Sequence, residues 1–241
     1  MKDSELVFDR KKHLLYSRKA KRVIRAHLLR DYGPEQMEEL WEKVQRIYAG
    51  FLETVPYLGG KKNLQAGSVY DCITLFACYE AVPDKFTLEQ FEQMNDELFL
   101  PAKGRKKPVS LNWRWGIRAA HGIFSRIERN TRRHREDWPG NYHMEVEPFD
   151  PEIGVRYRFL TCPIADFARA HGYTHLMSAV CNPDYPLIEA LHGGLIRTTT
   201  CANGSCCDYW IVGDRSEHLK HHPLIRDEAG YLRNEKEEPL W

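Results

Sequence analysis

The hydrophobic period of this chain changes once, at Pro139-Gly140, and that change limits the architecture more than any other feature. Before it, Met37, Leu40, Trp41, Val44, Ile47, Tyr48 and Phe51 recur at steps of three and four, as one buried helix face requires. Gly33-Pro34 breaks the chain ahead of them, and Tyr57-Leu58-Gly59-Gly60 stops it behind. The apolar run 69–79 predicts a buried helix. Thr87 with Gln90 forms a capping box for a helix carrying Leu88, Phe91, Met94 and Leu98. A basic loop is expected over 101–108. A long helix follows over 111–133, with Trp115, Ile123 and Ile127 among its apolar positions and arginines at its negative pole.

After the change the period is two. Tyr142, Met144 and Val146 alternate with His143, Glu145 and Glu147, and Val155, Tyr157 and Phe159 alternate likewise, as half-buried strands do. A turn-rich loop, 150–154, joins them. Residues 163–170 predict a short helix ending at Gly172. Residues 176–180 read equally as helix or strand. Residues 195–200 and 209–212 are rich in β-formers, and Ala202-Asn203-Gly204-Ser205 reads as the hairpin turn between them. Helices followed by such strands predict an α+β fold, N-terminal helices packed with a C-terminal antiparallel sheet. The division expected is a helical region over 1–138, a catalytic α+β region of the same domain over 139–214, and a tail over 215–241. That tail has little pattern and is expected to wrap the surface or stay mobile.

A chain of 241 residues can bury one sizeable core. Its net charge of +1 gives no field that would draw in nucleic acid or a membrane. Basic runs over 10–30 and 103–135 read as solvated helix faces, or as a rim attracting anionic substrates, while Glu235, Glu237 and Glu238 make the tail acidic. No apolar stretch follows a basic start, and no run approaches the roughly 18 residues of a membrane span. The expectation is a cytoplasmic protein whose seven cysteines are thiols, an odd number that excludes complete internal pairing.

Several residues could carry chemistry. Cys162 stands at a strand end before Pro163, as an N-cap whose thiol feels the positive pole of the next helix, which favours thiolate. Taken alone, the better reading of Cys162 is a small buried residue at a junction. Cys181 and Asp184 lie three residues apart, as nucleophile and acid/base or as metal ligands. By itself the better reading of Asp184 is a cap on a helix over 185–191. Arg197 suits a bidentate grip on a carboxylate, and strand alternation would put Thr198 and Thr200 on the opposite face from it. Cys206, Cys207 and Asp208 open a strand, so Asp208 faces away from Cys207 unless a bulge near Gly204 turns it. His192 is a general base in type. His218, His221 and His222 are scattered in the tail, where no designed metal site is expected.

Taken in order, Cys162-Pro163, Cys181-x-x-Asp184, Arg197-Thr198-x-Thr200, Gly204 and Cys207-Asp208-Tyr209 resemble the pattern of the L-2-amino-thiazoline-4-carboxylic acid hydrolase family, over roughly 140–213. Cys201 and Cys206 look like additions to that pattern. The resemblance implies hydrolytic opening of a five-membered cyclic amidine thioether, without cofactor. A thiolate or activated water would add to the carbon between nitrogen and sulfur, and an acid would protonate the ring nitrogen. On this reading Cys207 is the nucleophile and Asp184 the proton carrier, with Cys181 or Cys162 able to exchange roles with Cys207. Asp208 stays in the catalytic set, Arg197 holds a substrate carboxylate, and Thr198, Thr200 and His192 complete the binding set.

A weaker resemblance, through Cys201-x-x-Gly204-x-x-Cys207, is to the 4-vinyl reductase type of small-molecule-binding domain. It implies a zinc site of Cys181, Asp184, Cys201 and Cys207, in a binding module or in an enzyme whose metal activates water. The partner expected on either reading is a small molecule. Trp113 and Trp138 are read either as a homo-oligomer surface or as core.

Overall fold

The computed structural model describes residues 2–100 and 110–235. The basic loop expected over 101–108, and Glu237 and Glu238, lie outside the described residues. Helix α1 spans Arg18–Leu52 and is capped by the Ser17 side chain, which accepts from the Ala20 N–H at 3.0 Å. Its axis breaks at Gly33, where φ 77 and ψ 173 are open only to glycine, and Pro34 restarts it. Helix α2, Ala66–Ala81, is apolar all round, with Tyr70, Ile73, Leu75 and Phe76 fully buried, so other elements must cover every side of it. Helix α1 packs on one side. Helix α3, Leu88–Phe99, starts at the expected capping box and stacks Phe91 on Phe76 at 5.8 Å.

Helix α4, Arg114–Arg133, crosses the sheet and stacks Phe124 on Tyr157 at 4.2 Å. Two of its expected core positions, Trp115 and Ile123, face outward instead. The tryptophans divide: Trp138 is buried and stacked on His134, while Trp113 is half exposed.

The strands are β1 His143–Val146, β2 Val155–Thr161, β3 Gly193–Ile196 and β4 Cys207–Gly213. They form one antiparallel sheet in the order β1-β2-β4-β3. Helices α5 Pro163–His171, α6 Met177–Cys181 and α7 Asp184–Glu189 join β2 to β3. The fold is therefore α+β, with mainly N-terminal helices against a C-terminal antiparallel sheet. Register sets Cys207 opposite Phe159 and Tyr209 opposite Tyr157. With Met144, Val155, Leu195 and Ile211 these form the face turned to the helices. The other face carries Ile196, Trp210 and Val212, with the Arg156 guanidinium 4.1 Å from the Trp210 ring centre. Gly154, at φ 103, lies so close to β4 that a Cβ there would meet the Ile211 carbonyl oxygen at 2.4 Å.

One local expectation changes and two open readings are resolved. Residues 176–180 are helical, in a 3-10 turn, Thr174–Leu176, and α6. Strand β3 ends at Ile196, so 197–200 are not strand and the alternation expected there does not apply. The Asp208 carboxylate accepts from the Thr198 and Thr199 N–H groups at 3.0 and 2.8 Å and draws that segment away from the ladder. Beyond Asp214 the described chain is regular: β5 Leu224–Arg226 pairs with β6 Leu232–Asn234.

Candidate functional site

Between α2, the start of β4 and the short helices α5 to α7 lies a cavity of about 260 Å³. Each element contributes through its end. Cys162 precedes α5, Cys181 closes α6, Asp184 opens α7, and Cys207 and Tyr209 project from one face of β4, two residues apart. Thus four of the sequence-derived residues, Cys162, Cys181, Asp184 and Cys207, line one cavity although 45 positions separate the first from the last. Helix α2 adds Gln65, Ser68 and Cys72, spaced by three and four and so on one side of the helix. Phe99, Tyr142, Phe159, Met177, Val180 and Leu187 make the remaining wall largely apolar.

Asp184 is the carboxylate of this cavity. It sits inside the first turn of α7 with no capping bond, which replaces the cap expected of it. Its Oδ2 accepts from Arg197 Nη1 at 2.7 Å and from the Tyr209 hydroxyl at 2.6 Å. The side chain is 36% exposed, so water and ligand reach it. Arg197 stands behind it, 1% exposed, between the rings of Tyr185 and Tyr209 at 5.0 and 5.6 Å. Its Nη1 also donates to the Cys181 carbonyl at 3.1 Å. The carboxylate that Arg197 grips is therefore the protein's own, and its expected place on a substrate carboxylate is corrected. A guanidinium so deep needs an internal partner, and Asp184 meets that need.

The folded surroundings disfavour the thiolate form of the cavity cysteines. Burial pushes Cys162 up to about 12, although the Ile164 and Ala165 N–H groups at the start of α5 pull it down. The helix pole thus acts as expected but loses to desolvation, and the thiolate expected there does not form near neutral pH. Burial pushes Cys72 and Cys181 up as well, in the second case against Arg197. The Cys201 side chain and burial raise Cys207, while Arg197 and the Cys201 N–H oppose them. That N–H donates to Cys207 Sγ at 3.1 Å. A thiol in this cavity must therefore give up its proton to a base as it attacks.

The other sequence-derived residues serve the frame. Asp208 is 1% exposed and on the opposite face from Cys207, as alternation requires, and it binds Thr198 Oγ1 at 2.6 Å besides the two N–H groups. Thr200 Oγ1 donates to Asn203 Oδ1 at 2.9 Å and fixes the turn before Cys207. Neither Thr198, Thr200 nor Asp208 lines the cavity. His192 is exposed, 3.3 Å from Asp214 Oδ2 through Nδ1. It adjoins the Gly213 end of β4, about 20 Å from Cys207 at the usual rise per residue. Among the described residues no three His, Cys, Asp or Glu side chains stand together as metal ligands. In the alternative zinc set the Cys201 thiol turns to the Phe159 carbonyl at 3.3 Å, and Asp184 Oδ2 is already held.

Gln65, Ser68, Cys72 and Tyr142 escaped the sequence reading. Their signal was the three-and-four spacing of Gln65, Ser68 and Cys72 at the edge of an apolar helix, a pattern that core residues share. Tyr209 belonged to the motif but had no role until its hydroxyl met Asp184.

An apolar cavity with a few converging polar groups, set where helix ends meet a sheet, is the form of a small-molecule site. The family model described as L-2-amino-thiazoline-4-carboxylic acid hydrolase matches residues 68–211, about three fifths of the chain, and the chain belongs to this family. The match starts at Ser68, in the cavity wall, so it reaches back well before position 140 and takes in the helices α2 to α4. No curated protein and no solved structure matches the chain. Among the described residues no helix is long and apolar enough to cross a membrane.

Proposed function

We propose that the chain hydrolyses a small cyclic amidine or thiazoline-like substrate in this cavity, at the carbon between nitrogen and sulfur. Cys207 is the nucleophile and Asp184 the proton carrier. The observation that supports this is the presence of both in the lining of one cavity, with Tyr209 on the strand face of Cys207 and hydrogen-bonded to Asp184. The thiol proton passes to Asp184 as Cys207 Sγ bonds to the ring carbon. Asp184 then gives that proton to the ring nitrogen. The carbon–sulfur bond of the ring breaks and leaves a thiolate on the opened substrate and an isothiourea on Cys207. Water adds to the isothiourea carbon, its protons go to the departing sulfurs, and the urea product leaves with Cys207 restored as a thiol. Arg197 and Tyr209 hold Asp184 in place through both proton transfers. Cys181 and Cys162, in the same lining, are further candidates for the first step.

The test is turnover of 2-amino-thiazolines by the purified chain, followed by mass spectrometry with and without a strong chelator. Product is expected in both samples, and a covalent adduct on Cys207 early in the reaction. Cys207→Ser should abolish the adduct, and Asp184→Asn should slow turnover by about 10²–10⁴-fold. Full turnover by Cys207→Ser would exclude Cys207 as nucleophile. Loss of product with chelator alone would move the chemistry to a metal.

A further inference from the structure

We propose that Cys207 and Cys201 form a reversible disulfide that switches the cavity off: Cys207 reacts with a small disulfide that enters, and Cys201 then closes the bond from behind. The effect of this switch on turnover rests on the hydrolase reading of the same cavity. Two contacts set the two thiols side by side. The Cys201 N–H donates to Cys207 Sγ at 3.1 Å. That contact keeps the two Cα atoms within about 7 Å, a span that a disulfide can close. The Cys201 thiol donates to the Phe159 carbonyl at 3.3 Å, and Phe159 is the cross-strand partner of Cys207. The turn between the two cysteines is tied down. The Gly204 N–H donates to the Thr200 carbonyl at 2.8 Å, and the Arg169 guanidinium donates to the Cys201 carbonyl at 2.7 Å.

The pair is asymmetric. Cys207 lines the cavity, whereas Cys201 is buried beside it and does not. A reagent in the cavity therefore meets Cys207 first, which gives Cys207 the attacking role and Cys201 the resolving one. The volume of about 260 Å³ admits a small aliphatic disulfide. Cys207 Sγ gives its proton to a base, attacks one sulfur of that disulfide and expels half of it as a thiol. Cys201 Sγ then loses its proton likewise, attacks Cys207 Sγ and expels the other half. Two protein thiols are oxidised, and one small disulfide is reduced to two thiols. The Cys201 side chain and burial raise Cys207, so the exchange is slow at neutral pH and quickens with alkali. Once the bond is closed, Cys207 has no thiol with which to attack a ring carbon.

The experiment incubates the full reduced chain with bis(2-hydroxyethyl) disulfide at pH 8. Intact mass spectrometry follows, with alkylation in urea before and after dithiothreitol. The expected product has lost two hydrogens and retains no adduct, and Cys201 and Cys207 alone resist alkylation until reduced. Turnover of 2-amino-thiazolines should fall at least about tenfold and return with dithiothreitol. Cys201→Ser and Cys201→Ala should keep the turnover of the reduced chain and stop at a mixed disulfide on Cys207. Failure of Cys201 and Cys207 to oxidise, a lasting mixed disulfide on the unaltered chain, or pairing of Cys207 with Cys162, Cys181 or Cys206 would overturn the proposal. So would undiminished turnover by the oxidised chain. Formation of the Cys201–Cys207 bond in a chain that turns over no amino-thiazoline upholds the pairing and sinks the hydrolase reading alone.

Discussion

A guanidinium with 1% exposure has to find its charge partner inside the protein, and Arg197 finds Asp184. The two ends of this pair are unequal, because Asp184 can reach water and Arg197 cannot. Asp184→Ala should therefore cost about 3–5 kcal/mol in urea denaturation, the charge of Arg197 being left buried and unpaired. Arg197→Met should cost less, since a half-exposed carboxylate can be hydrated. The reverse order would show that packing between Tyr185 and Tyr209 outweighs the charge. At the same scale, the raised thiols predict how the cavity reacts with alkylating agents. Few of these cysteines are thiolate at pH 7, so iodoacetamide labelling of Cys162, held up at about 12, should rise about tenfold per pH unit between 7 and 10. A rate flat across that range would mean that the thiolate exists already. None of these differences is legible in sequence: Arg197 and Asp184 were both singled out, but not as partners of each other. Exposure distinguishes a residue that grips a ligand from one that grips its neighbour.

Among the elements, the C-terminal hairpin governs the site from outside the cavity. Asn234, at the end of β6, accepts from the Arg197 N–H at 2.9 Å and from the Tyr185 hydroxyl at 3.0 Å through Oδ1. Its own N–H donates to the Arg197 carbonyl at 2.7 Å. One side chain thus ties the hairpin to the segment that follows β3. Asn234→Ala leaves the Arg197 N–H buried without that acceptor, at a cost of about 1–3 kcal/mol. Hydrogen exchange should quicken at Arg197 and over 222–234, while α1 and α2 stay protected. Unchanged exchange at Arg197 would detach the hairpin from the site. Helix α2, the capping box at Thr87 and the turn before Cys207 were all legible, because each depends on neighbours within a few residues. The hairpin was not. Its strands are three residues each, too short for alternation to register.

For the whole molecule, the same burial that keeps the thiols neutral makes the fold sensitive to alkali. Cys72, Cys162, Cys181 and Cys207 and the phenols of Tyr142, Tyr157 and Tyr209 all have their anionic forms disfavoured in the folded state. Their contribution to stability is complete below the unfolded values of about 8.5 and 10, and is lost as pH rises towards the folded ones. Between them the unfolded chain binds fewer protons than the folded one. Tm should therefore fall by about 5 °C or more from pH 8 to 10.5, and a level Tm would show that these groups titrate as if exposed. The sequence by itself determined the order of the long helices, the first two strands and the faces those strands turn inward, and the family motif, because periodicity, caps and motif spacing are properties of short stretches of chain. Only the tertiary structure decided that Cys162, Cys181, Asp184 and Cys207 share a cavity with Gln65, Ser68 and Cys72, and that Arg197, Thr198, Thr200 and Asp208 stand behind it. Both groups are polar or thiol side chains scattered along the chain, and which of them meets the cavity depends on how distant elements pack.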